Sequence, residues 1–252
     1  MKRHLTHIII IILNIVFLSI ALVFGILTKN GFTTSIATID EIPIIQRSAN
    51  AGLLNPNGSA EGIMSISDMQ NDATDIVECV FTGERRYGYQ ALISTARVTK
   101  VNKGTLNIGD DIFIFEPVQI LPINSINYPL TISDKTIKAA LNNDDAKIVR
   151  ASPISSYVFG KNPMNVDCKY LVFLKQKTPN MYKQKSEDNC YRMIDCAYSR
   201  ILINEDSKID ISETPSVMYF KDACQIDQVV SDIDSQKLYL DTCKYLISQY
   251  SS

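Results

Sequence analysis

Between Ile8 and Leu27 the chain is apolar and carries no charge; only Asn14 and Ser19 are clearly polar. A helix rises 1.5 Å per residue, so about 20 such residues match the ~30 Å hydrocarbon core of a bilayer. Ile8–Ile12 is five isoleucines in a row, apolar on every side, which suits lipid better than one packed face. The run therefore predicts a transmembrane segment. Lys2 and Arg3 precede it, with His4 and His7 beside them, and after Lys29 no charge occurs until Asp40. That asymmetry predicts a cytoplasmic N-terminus and an extracytoplasmic remainder. A retained signal-anchor and a cleaved signal peptide both fit. Retention is favoured, because the core exceeds the usual ~7–15 residues and Ser35-Ile36-Ala37, the one fair cleavage site, lies well beyond it.

The expected organisation follows. Residues 1–7 are a cytoplasmic N-terminus, 8–27 the signal-anchor of a single-pass cell-membrane protein, and 28–64 a tether. Residues 65–222 form an exported β domain with an insertion at 118–165, and 231–250 form a C-terminal helix packed on that domain. The tether reading rests on the small, turn-forming runs Ser48–Gly52 and Asn55–Ser59. Between them and the apolar run, Ile42-Pro43-Ile44-Ile45 reads as a short strand or docking segment.

Removing Lys2 and Arg3 from the 25 basic residues leaves 23 against 27 acidic ones, a formal −4 for the exported part. A mildly acidic exterior argues against a nucleic-acid partner. His4 and His7 are the only histidines, so the remainder can build no Ser-His-Asp triad, Cys-His dyad or His-ligated zinc site. Tryptophan is absent, which lowers the odds of a sugar-binding indole platform.

The six cysteines, Cys79, Cys168, Cys190, Cys196, Cys224 and Cys243, contain no CxxC pair. In an oxidising exterior they could form disulfides, with Cys190–Cys196 and Cys224–Cys243 the local candidates. The other reading is buried thiols packed as small hydrophobes. Cys79 alternates with Val77 and Phe81 on a strand face, and Cys243 sits on a helical stripe.

A short helix is expected from about Ser65 to Ala73, capped by Ser65 or Ser67. The period then becomes two. Asp75–Thr82, Tyr89–Val101 and Asp111–Phe115 read as three consecutive antiparallel strands, the first two joined by a loop at Gly83–Gly88. Asp111–Phe115 is apolar on both faces, so both must be covered. Pro122, Pro129, Pro153 and Pro163 punctuate the insertion, where Ser133–Leu141 is a possible helix. Strand character returns at Lys169–Leu174 and near Tyr198–Asn204, Lys208–Ser212 and Val217–Phe220. From Ser231 to Tyr250, Tyr239, Leu240, Cys243, Leu246, Ile247 and Tyr250 form one stripe, with Ser231 or Asp232 as N-cap.

The stretches Asp75-Ile76-Val77, Ala96–Gly104, Leu106–Asp110, Ile112-Phe113-Ile114 and Lys169–Lys175 together resemble uncharacterised exported and membrane-anchored proteins of Gram-positive bacteria. Their β domain is a small OB-like barrel. The resemblance covers about 75–120 and 165–176, and implies an OB-like antiparallel barrel or curled sheet flanked by helices. It carries no catalytic residue over.

Arg85-Arg86-Tyr87-Gly88-Tyr89 is the most chemically pointed stretch. Two guanidiniums beside Tyr87 and Tyr89 could hold an anionic or planar ligand, against a reading as a solvated hairpin turn. Asn142–Asp145 lacks the spacing of a calcium loop, so no metal or other cofactor is expected. No catalytic residue is singled out, and no enzyme is expected. The function expected is a membrane-anchored extracytoplasmic binding module. It would touch the lipid bilayer through residues 8–27 and bind another envelope protein or a wall component. A protease-inhibitor-like or sensory module is the alternative, and a histidine-free hydrolase comes last.

Overall fold

Alternation of apolar and polar residues builds a ring of five strands. The computed structural model describes residues 14–23, 43–46, 48–58, 63–88, 91–116, 119–122, 149–152, 161–176, 190–203, 208–212 and 216–250. They fall into two units, Met1–Thr38 and Ile39–Ser252. In the second unit, β1 (Pro43–Gln46) and α1 (Ile66–Asp72) precede β2 (Asp75–Gly88), β3 (Ala91–Lys103) and β4 (Asp111–Glu116). Then come β5 (Gln119–Pro122), β6 (Val149–Ser152), β7 (Lys169–Gln176), β8 (Cys190–Met193) and β9 (Arg200–Leu202). Last are β10 (Ile209–Ile211), β11 (Ser216–Tyr219), α2 (Phe220–Ala223), β12 (Gln228–Val230) and α3 (Ile233–Tyr250).

The order β2-β3-β4-β8-β7 closes because β7 also pairs with β2, from Asp75↔Leu174 to Val80↔Lys169. Ranked within the ring this is 1-2-3-5-4-1, a closed five-stranded β-barrel. All its pairs are antiparallel except β4–β8, where Phe113 faces Cys190 in parallel register. The expected all-antiparallel barrel is thus corrected, and the reason is geometric. A closed ring with an odd number of strands cannot alternate direction all the way round.

Period-two alternation sends Val77, Cys79, Phe81, Ala96, Val98, Ile112, Ile114, Val172 and Leu174 to one buried cluster inside the barrel. The opposite faces of β2 and β7 give Ile76, Leu171 and Phe173 to a second cluster. There they meet Ile66 and Met69 of α1, Tyr239, Cys243 and Leu246 of α3, and Ile201 of β9. Two of the barrel strands are therefore buried on both faces. Ser65 caps α1 by accepting the Asp68 amide at 3.1 Å, as expected. Asp232 accepts the Ser235 amide at 2.7 Å at the start of α3. That leaves Asp232, not Ser231, as the residue whose side chain holds this turn.

Three expectations are corrected. No helix among the described residues is long and apolar enough to cross a membrane, so the expected transmembrane helix is not found. Residues 48–58 are not a tether but part of the folded unit. Leu54 and Ala49 are fully buried, and Ala49 bonds through its backbone to Val229 and Ser231. Gly83–Gly88 is not a loop: β2 runs through it to Gly88. Gly83, at φ 91°, sits in a bulge where β2 has three residues between Phe81↔Ala96 and Arg85↔Ser94 while β3 has one. Within 118–165 the structure has the antiparallel pair β5–β6 and residues 161–165. The expected helix 133–141 and the loop 142–145 lie outside the described residues.

Candidate functional site: a buried ionic hub at one end of the barrel

Glu116 ends β4 on the inward parity of Ile112 and Ile114, and its side chain is fully buried. Its Oε1 accepts from Arg85 Nε at 3.2 Å and from the Ser94 hydroxyl. Its Oε2 accepts from Arg200 Nη1 at 3.0 Å and from the Met164 amide at 2.7 Å. The carboxylate thus meets two guanidiniums, a hydroxyl and a backbone amide. Arg85 also donates to the Met164 carbonyl and lies 4.5 Å from the centre of the Phe81 ring. Arg200 donates to the Asn162 carbonyl and lies 5.2 Å from the Tyr170 ring. One anion against two cations is tolerable in the interior because every oxygen of the anion is hydrogen-bonded and both cations face aromatic rings and carbonyls.

A second polar cluster adjoins it. Lys161 Nζ donates to the Arg200 carbonyl at 2.9 Å and to Tyr239 Oη at 2.6 Å, and sits 4.7 Å from the Tyr239 ring. Tyr239 stacks on Tyr198 with centroids 5.7 Å apart. Burial, and the neighbouring Arg200 cation after it, pushes the Lys161 ammonium down to about 8. Burial holds the Tyr170, Tyr198 and Tyr239 phenols well above their ordinary range. It likewise pushes the thiols of Cys196 and Cys243 up to about 11 and that of Cys79 to about 12. These are neutral, desolvated thiols, the opposite of a nucleophile's environment.

Above the hub, β2 and β3 stay paired from Arg85↔Ser94 to Gly88↔Ala91, beyond the last β2–β7 pair at Val80↔Lys169. On this ribbon Glu84 and Arg86 are exposed, and the Arg86 guanidinium lies 5.8 Å from the Phe113 ring. Val166, 49% exposed, packs beside the Gly83 bulge: a Cβ at Gly83 would stand 3.6 Å from it.

The predicted ligand loop is therefore split. Alternation along β2 turns Arg85 into the hub and leaves Arg86 on the surface. Tyr87 lies on β2 opposite Leu92, and Tyr89 lies outside the described residues. The expected disulfides are not made. None of the six cysteines is in a disulfide, and Cys190 and Cys196 belong to different apolar clusters. Cys224, at the end of α2, is partly exposed, with Arg85 Nη1 at 3.8 Å, whereas Cys243 is buried in α3. No group of His, Cys, Asp and Glu among the described residues could hold a metal ion.

Sequence reasoning missed Glu116, Arg200, Lys161 and Tyr239 as a unit. The available signal was a lone acid and a lone base, each at the end or start of an apolar strand and on its inward parity.

Comparison with protein-family models, with curated proteins and with solved structures finds no match to this chain.

Proposed function

We propose that the barrel is a binding module that engages a partner through the rim formed by Glu84, Arg86 and Val166. The observation that carries this reading is the stretch of β2 beyond its last pair with β7, where Glu84 and Arg86 stand in solvent and Val166, from the neighbouring segment, is exposed beside the Gly83 bulge. In five-stranded Greek-key barrels the loop joining the first two strands is a common contact element, and that place is the end of the β2–β3 ribbon. The hub supports the same reading. It uses Arg85, Glu116 and Arg200 to fix the barrel end, leaving recognition to the outward residues. An exposed guanidinium over an aromatic ring, next to a carboxylate and a valine, suits a partner surface that mixes acidic and apolar groups.

Site-specific photo-crosslinking tests this. A crosslinker at position 86 or 166 is expected to capture one discrete partner from the source cells. One at Lys237, exposed on α3, is expected to capture none. Equal capture from both places, or loss of none of it in Arg86→Glu with Val166→Asp, would refute the rim.

A further inference from the structure

We propose that residues 161–165 form a pH-sensitive latch on the barrel end, loosened when the buried Lys161 amine is protonated beside the Arg200 guanidinium and tightened when it is neutral. The latch stands whether or not the rim above it binds a partner.

The geometry comes first. Met164 is fully buried in the cluster of barrel-interior residues. The segment is held to the barrel largely by side chains reaching its backbone. Glu116 takes the Met164 amide, Arg85 the Met164 carbonyl, Arg200 the Asn162 carbonyl, and Tyr170 Oη the Asn165 amide at 2.7 Å. On its other side the Asn162 amide donates to the Asp227 carbonyl at 3.3 Å. Lys161 is the latch's own cation, and it donates to the carbonyl of the residue whose guanidinium clamps Asn162. Closing the latch therefore brings an ammonium out of water and towards an existing cation.

The charged and titratable groups that face Lys161 come from each element around it. Arg200 of β9 opposes its charge. Asp227 before β12 favours it, while the Cys243 thiol of α3 and the Cys196 thiol before β9 also face it but stay neutral where the amine titrates. Tyr239 of α3 accepts its proton in a hydrogen bond. Burial and Arg200 outweigh the favourable groups, which is why the amine titrates at about 8 in the closed state against an ordinary 10.5.

The sign follows from linkage. When the latch opens, Lys161 returns to water and to its ordinary range. Between the two values, opening takes up a proton, so opening becomes rarer as pH rises. Below about 8 both states are protonated and the dependence vanishes. Between pH 7 and 9 the opening equilibrium should fall about tenfold. The ordinary range of the Cys196 and Cys243 thiols begins near pH 9, so the test goes no higher.

The experiment is amide hydrogen exchange at pH 7 and pH 9, corrected for the intrinsic rate and read where exchange reports the opening equilibrium. Asn162, Met164 and Asn165 should gain about tenfold protection at pH 9 relative to the β2–β7 amides, which serve as the internal reference. In Lys161→Met the gain should vanish. Should that variant not fold, Lys161→Arg keeps a cation across the range and should likewise show no gain. A wild-type latch with pH-independent protection overturns the proposal. So does a tenfold gain that survives in either variant.

Discussion

Arg200 Nη1 donates to Glu116 Oε2 at 3.0 Å inside the protein, with side chains only 2% and 0% exposed. Removing the anion alone would leave two guanidiniums buried without it. Breaking a buried ion pair from one side costs about 3–5 kcal/mol, whereas replacing the whole set with apolar groups can be neutral. Glu116→Ala should therefore lower unfolding stability by about 3–5 kcal/mol in a denaturant titration. The triple replacement Arg85→Met, Glu116→Leu, Arg200→Met should cost clearly less than the single change. If the triple variant proves the worse of the two, the ions stabilise the barrel outright.

Gly104 occupies φ 111°, and a Cβ there would collide with the side chain and backbone of Asp75. The contact is tight because Asp75 Oδ1 accepts the Thr105 amide at 2.9 Å while Oδ2 accepts from the Thr74 hydroxyl at the same distance. Gly104→Ala should destabilise the protein by about 2 kcal/mol, from a backbone region that L-residues rarely adopt plus the clash. Gly109→Ala, at φ 94° but with open space around it, should cost less. Thermal denaturation of the two variants separates strain from strain plus contact.

Thiol titration should return six reactive groups after unfolding without reductant, since none is in a disulfide. In the native protein Cys224 should react first, because it alone among the six is not fully shielded. Burial holds Cys79, Cys196 and Cys243 in the neutral, unreactive form. Cys224→Ser should remove the fast phase and leave the slow ones.

The Ser231 hydroxyl, with the Ser235 amide, holds the Asp232 carboxyl below its ordinary range. A depressed carboxylate contributes stability above its ordinary pKa, and that contribution is lost as pH falls through the folded value. The stability gap between wild type and Asp232→Asn should therefore be present at pH 6 and close below about pH 3.8, the ordinary value. Unfolding curves across that range check it. A gap that does not narrow at all as pH falls below 3.8 would mean that the cap works through geometry alone.

Much of the barrel was legible in the chain, because its signal is local. Val77-x-Cys79-x-Phe81 and Ile112-x-Ile114 announce both strand and inward face, and Ser65 announces α1. The closing strand was not legible. Cys190–Met193 is four residues long and makes its barrel contacts with β4 and β7, both distant in the sequence or across a long connection. Such a strand is defined by tertiary pairing rather than by its own pattern. Gly83 misled for a similar reason. Glycine at a turn and glycine at a bulge look alike in sequence, and only the partner strand distinguishes them. The hub was hidden because each member comes from a different element, and a lone Arg or Glu carries no mark of burial. The apolar run at the N-terminus predicts a spanning helix through composition, and no helix among the described residues is long and apolar enough to be one.

The parallel pairing of β4 with β8 also sets an order of assembly. Phe113 cannot meet Cys190 until the whole intervening chain has been made, and the ring has no other way to shut. A growing chain can zip β2 to β3 and β3 to β4 by neighbouring hairpin-like steps. It must then wait with one edge of β4 unsatisfied until the last barrel strand arrives. The molecule's most vulnerable moment is thus written into its connectivity, in the interval of synthesis between Glu116 and Met193.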